Sequence, residues 1–142
     1  QFQTRVLKEI SEDYSSTNTD RKVTIDNTTG QLLRLVSVAA LRGEIGSAAP
    51  LPRKVKFNAG PFVFHDNRVD LLQGRNRARF GIEAPITGFF HVPFTEFGDP
   101  DMMINTSPEF LSADLEAHFD LVYTSGTERL LIGVETVRNP QF

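Results

Sequence analysis

Apolar and polar positions alternate with two different periods along the chain, and the change of period sets the first expectations. Over residues 2–13, Phe2, Val6, Leu7 and Ile10 fall at helical spacing, with Lys8, Glu9, Glu12 and Asp13 opposite them. The spacing predicts a short amphipathic helix over 1–14. Tyr14-Ser15-Ser16-Thr17-Asn18-Thr19-Asp20 reads as a polar hinge over 15–20. From residue 21 the period falls to two. Strands are predicted over Lys22–Asn27, Gln31–Arg42, Lys54–Phe57, Pro61–His65, Arg77–Ala84, Phe89–Phe94, His118–Thr124 and Leu130–Val137, with strand material at Ile104. Asn58-Ala59-Gly60, Asp99-Pro100-Asp101 and Ser125-Gly126-Thr127 supply turns between them.

Many short strands with turn signals between them predict a mainly β chain. The expected fold is a compact β-sandwich of about ten short strands, with the amphipathic helix at its N-terminus. A single domain over 1–142 is expected, with 21–142 forming the sandwich. The expected core comprises Val23, Ile25, Leu33, Leu35, Phe62, Phe64, Phe80, Phe90, Phe119, Leu121 and Leu131.

Charge changes this picture little. Fifteen basic and 18 acidic residues give a net charge of −3, which argues against a nucleic-acid backbone as the main partner. There is no cysteine, so no disulfide framework and no thiolate metal site. No apolar run approaches the roughly 20 residues of a membrane-spanning helix. Twelve Phe stand against two Tyr and no Trp, which favours core over interface use of aromatics.

Chemistry-bearing patterns are sparse. His65, His91 and His118 stand far apart and match no catalytic or metal motif, so neither an enzyme nor a cofactor is expected. Glu96, Asp99 and Asp101 share a loop that suits a hard cation or a solvated acidic turn, with the solvated turn favoured and no metal site assigned. Arg75, Arg77 and Arg79 alternate, so on a strand they would share one face and grip an anion or a glycan; the competing reading is a solvated, charge-protected edge. Phe97, Met102 and Met103 lie in a loop that would either touch lipid headgroups, close a ligand pocket or fold back under the sandwich. Asn27-Thr28-Thr29 and Asn105-Thr106-Ser107 are glycosylation sequons.

Three short motifs in order carry a family resemblance. Arg21-Lys22 precede a strand ending in Ile25-Asp26-Asn27; Leu51-Pro52-Arg53-Lys54-Val55 follows a loop; Val92-Pro93-Phe94 ends a later strand. With the N-terminal amphipathic segment, the chain resembles the actinoporin-type cytolysins. The resemblance implies a secreted protein, with the cytoplasm left open, that binds membrane lipid headgroups, forms homo-oligomers and inserts its N-terminal helix to line a pore. It implies lipid-facing roles for Phe2, Val6, Leu7, Ile10, His91, Pro93, Phe97, Met102 and Met103. The chain departs from the family at Gly98, Asp99, Met102 and Met103, where the family carries aromatic residues. Phe119-Asp120-Leu121-Val122-Tyr123-Thr124 also resembles the fungal fruit-body lectins, which implies the alternative of a glycan-binding protein of the same fold without lytic activity.

Overall fold

The computed structural model describes residues 4–25, 32–43, 47–80, 88–94, 104–106 and 113–138. Over these described residues it is mainly β, with two antiparallel sheets and one short helix. The elements are β1 (Thr4–Tyr14), β2 (Asn18–Thr24), β3 (Leu32–Arg42), β4 (Ser47–Ala48), β5 (Lys54–Ala59), β6 (Phe62–Arg68), α1 (Val69–Phe80), β7 (Phe89–Pro93), β8 (Ile104–Asn105), β9 (Leu115–Leu121) and β10 (Glu128–Arg138).

The pairing is that of one long hairpin wrapped on itself. β1 pairs with β10, β2 with β9, β3 with β7 and β5 with β6, so outer strands meet outer and inner meet inner. Two further pairings, β10 with β3 and β9 with β5, join these into sheets. One sheet runs β1-β10-β3, and β8, β7 and β4 lie in turn along the free side of β3. The other runs β2-β9-β5-β6. This nested antiparallel order is a jelly roll.

Alternation explains which side chains fill the space between the sheets. On β9, Leu115, Ala117, Phe119 and Leu121 are buried while the residues between them are half-buried. Val36, Val38 and Ala40 of β3 face Val134, Ile132 and Leu130 of β10 in register. Among the described residues, Phe57, Phe90 and Phe119 are the largest fully buried side chains. The hairpin between β5 and β6 turns at Gly60, whose φ of +57° suits glycine.

The N-terminal helix expected over 1–14 is instead strand β1, paired with β10 over its whole length from Thr4↔Arg138 to Tyr14↔Glu128. Positions 8, 10, 12 and 14 stand opposite Val134, Ile132, Leu130 and Glu128, the row that faces the core, while Val6 is paired in register with Thr136. Lys8 and Glu12 occupy that row, break the apolar alternation and leave a pattern that mimics a helix. Ile10 packs on the core, whereas Leu7 points to the other face and is 76% exposed. Phe2 lies outside the described residues.

The expected core needs three corrections. Leu35 and Leu131 lie half-buried on the outer face, and Phe62 is 60% exposed. Glu135 stands opposite Leu35 but Thr136 opposite Leu33, so Arg34 is an extra residue that flips the parity of β3. Leu130-Leu131-Ile132 is apolar throughout, and no periodicity within it says which residues face inward. Phe80, whose side chain is not described, ends the helix.

Candidate functional site

Residues 77–80, expected to begin a strand, belong to helix α1. The helix starts beside Asp70, whose charge suits its first turn. It buries Val69, Leu72 and Asn76 at spacings of three and four. Arg75, Arg77 and Arg79 therefore lie along a helix and not on the strand expected for them. Arg75 is exposed.

The polar member of the buried stripe has a definite task. Asn76 Nδ2 donates to the carbonyl of His91 at 3.1 Å, and Asn76 Oδ1 accepts from the His91 N–H at 2.8 Å. One turn earlier, Gln73 Nε2 donates to the Phe89 carbonyl at 3.2 Å. Two amides thus occupy the outward backbone groups of β7 and close that edge of the sheet to any further strand. Residue identity alone gave no hint of this pair; the three-residue spacing of Gln73 and Asn76 next to buried Leu72 was the available signal.

His91 and Pro93 stand on β7, opposite Ser37 and Leu35. The His91 ring lies edge-on to Phe89 and shares a 2.8 Å hydrogen bond between Nδ1 and Ser37 Oγ. A Ser–His contact is half of a nucleophilic arrangement. Here it follows directly from the cross-strand register of two half-buried residues on a sheet surface. His65 sits on the inner side of β6 against Phe57 and Phe94. His118, on β9 of the same sheet, sits on its outer face and bonds Asp20 at 2.7 Å. The three histidines thus occupy separate faces, and no group of three metal-ligating side chains occurs among the described residues. Phe97, Met102, Met103 and the acidic loop of Glu96, Asp99 and Asp101 lie outside those residues.

A second buried polar cluster closes one end of the sandwich. Glu128, fully buried, accepts hydrogen bonds through Oε1 from Thr124 N at 2.8 Å, Thr124 Oγ1 at 3.0 Å and Ser125 N at 3.3 Å. Arg42 lies 3.9 Å from the same oxygen and also bonds Thr124 Oγ1. Tyr14 completes the row, and burial with the nearby Glu128 charge pushes its hydroxyl up to about 12. The carboxylate fastens the turn over 122–127 to the sheet. Across the gap between sheets, Arg21 of β2 bridges to Glu12 of β1 at 2.9 Å.

Burial lowers the pKa of both His65 and His91 below the ordinary 6.5; for His65, Arg75 adds to this and Asp66 opposes it. The neutral forms are the ones the fold accommodates. Below pH 6.5 the unfolded chain takes up these protons before the folded chain does. The histidine contribution to stability is therefore intact above 6.5 and is lost as the pH falls through the lowered folded values. Melts between pH 7.5 and 5 should show the transition falling with acidification, and a His65→Gln/His91→Gln variant should show a shallower fall. An equal slope in both proteins would contradict the assignment.

No protein-family model and no curated protein sequence matches the chain. Solved structures do match. The major capsid protein of bacteriophage PM2 superposes with a TM-score of 0.69 at 9% identity, over 96% of this chain and 46% of that one. The STIV major capsid protein gives 0.68 at 12% identity, over 96% and 42%. A chain of Sulfolobus turreted icosahedral virus gives 0.64 at 14%, over 96% and 40%. The chain spans less than half the length of these proteins, and at such identities the likeness concerns the fold alone.

These neighbours overturn the actinoporin-type and lectin resemblances, and with them the cytolysin, pore-forming and lectin-like readings. The quoted motifs mark ordinary places in a sandwich. Ile25 follows the end of β2, Leu51 to Arg53 lead into β5, and Val92-Pro93-Phe94 closes β7. The segment assigned to membrane insertion is a strand held by β10.

Proposed function

We propose that this chain is a structural unit of a viral capsid-type shell, a jelly-roll building block that acts by homo-oligomeric assembly and not by catalysis. The observation that carries the reading is the match of almost the whole chain to capsid proteins of two different viruses at TM-scores of 0.69 and 0.68. The nested strand order agrees with it, since double-sheet jelly rolls recur in capsid domains. The fold is shared with other functions, so assembly itself has to be tested.

The same match accounts for how the polar groups are spent. Asn76, Gln73 and Glu128 tie backbone to backbone, fixing β7 and the turn over 122–127. A shell subunit needs a fixed outline more than a reactive pocket.

The test is sedimentation and negative-stain electron microscopy of the purified chain over a range of salt and concentration. The expected result is particles, rings or sheets with a regular repeat. A species that stays no larger than a dimer under every condition would overturn the shell reading.

A further inference from the structure

The sheet edges are treated unequally. The β7 edge is closed by Gln73 and Asn76. β2 is short, and its register is interrupted between Asn18 and Arg21. β6 carries a register shift opposite Phe57/Asn58 and the charged residues Asp66 and Arg68. β1 is different: eleven residues in unbroken register with β10, and among the described residues paired on that side only. A long regular edge is a template for another strand.

The backbone polarity of that edge is fixed by two independent contacts. The N–H of Gly43 bonds the Thr127 carbonyl, so odd-numbered residues of β10 address β3 and even-numbered ones address β1. The register then leaves the odd-numbered residues of β1 with their N–H and C=O groups turned outward. In agreement, the Asp13 carbonyl accepts from Arg21 instead of from β10.

Lys8 and Glu12 lie on the inner row of this strand, half-buried. Inward charges ordinarily protect an edge by rejecting an arbitrary strand. They accept one partner well. We infer that β1 pairs antiparallel with β1 of a second copy of this chain, about a two-fold axis through Ile10, so that Lys8 of each copy faces Glu12 of the other.

Charge selects this register among its neighbours. With Ile10 on the axis, Lys8 meets Glu12 twice and Glu9 meets Ser11. A shift that puts Glu9 on the axis sets Glu9 against Glu9 and Lys8 against Ile10. A shift that puts Lys8 there sets Lys8 against Lys8. All three keep outward backbone groups facing each other, so the side chains decide. Arg21, already 2.9 Å from Glu12, joins the same line of charge and ties the pairing to the second sheet. The inference rests on this edge alone and does not depend on the shell reading.

The chain has no cysteine, so single cysteines can read the register. Lys8→Cys, Glu9→Cys, Ile10→Cys and Ser11→Cys variants would be oxidised mildly and their dimers quantified. Residues opposed on the axis sit about 4.5–5.5 Å apart, within disulfide reach, whereas neighbours one or two positions off lie beyond about 7 Å. The expected result is dimer from Ile10→Cys and little from the others. In parallel, sedimentation equilibrium of the unmodified chain should show a dimer that Lys8→Glu weakens about ten- to thirtyfold, because two attractions become repulsions. Circular dichroism would verify that Lys8→Glu stays folded. A monomer at all concentrations, preferred cross-linking at position 8 or 9, or an unchanged dissociation constant in folded Lys8→Glu would each overturn the proposal. A dimer that forms no larger assembly supports it while rejecting the shell.

Discussion

Replacing Phe57 by Ala should lower the stability of the fold by about 3–5 kcal/mol, the range for an aromatic removed from a packed core. Phe57 is fully buried on β5, and its ring meets Phe94 edge-on at 5.2 Å and His65 at 6.3 Å. Phe94 follows β7 and its N–H bonds Arg34 of β3, so the Phe57–Phe94 contact joins the two sheets. Removal leaves a cavity between strands pinned by their ladders, which limits collapse around it. Urea unfolding would measure the loss as a lower midpoint at constant slope. The substitution also removes part of the apolar wall around His65, whose pKa is held down first by burial. A histidine titration by nuclear magnetic resonance should then show the His65 pKa moving back toward 6.5. A loss under 1 kcal/mol with His65 unmoved would mean that this contact does not hold the sheets together.

Glu128→Ala should cost about 3–4 kcal/mol, because it strips a buried acceptor from three donors at once. The Thr124 and Ser125 amides and the Thr124 hydroxyl all converge on Oε1. Glu128→Gln retains a carbonyl oxygen for them and should cost about half as much. The other carboxylate oxygen, Oε2, and the Tyr14 hydroxyl are buried without a hydrogen-bond partner among the described residues. That places the value of Glu128 in the turn and not in its neighbours along the row. Hydrogen exchange at Thr124 and Ser125 separates the possibilities: both amides should lose protection in the alanine variant and keep it in the glutamine one. Equal destabilisation by both variants would assign the effect to lost charge instead of lost acceptor geometry.

The sequence made the sandwich legible where strands are half-buried and strictly alternating. Phe119, Leu121, Val23 and Ile25 are core residues as the period-two pattern implies. The β5–β6 hairpin also turns near the expected site, although β5 extends to Ala59. Legibility failed where a polar side chain occupies an inward position. Lys8 and Glu12 made a strand look like a helix. It failed again at Arg34, because a bulge is set by pairing with a distant strand and leaves no local trace. The family resemblance failed for a related reason. Short strand-and-turn motifs recur in many β-sandwiches, while the pairing order that distinguishes them involves residues as distant as Thr4 and Arg138.

That order also constrains how the chain reaches its fold. The β5–β6 hairpin needs only a tight loop, whereas β3–β7, β2–β9 and β1–β10 each require closure of a progressively longer one. Closure entropy grows with loop length, so assembly proceeds from the innermost pair outward and is slow for the chain's size. β1 has no other strand partner among the described residues and is laid down late. Until it docks, β10 is itself an open edge of the same length. At high concentration the β1 of a neighbouring chain can fill that place, and the resulting exchanged dimer would interconvert with the native form only by unfolding this strand.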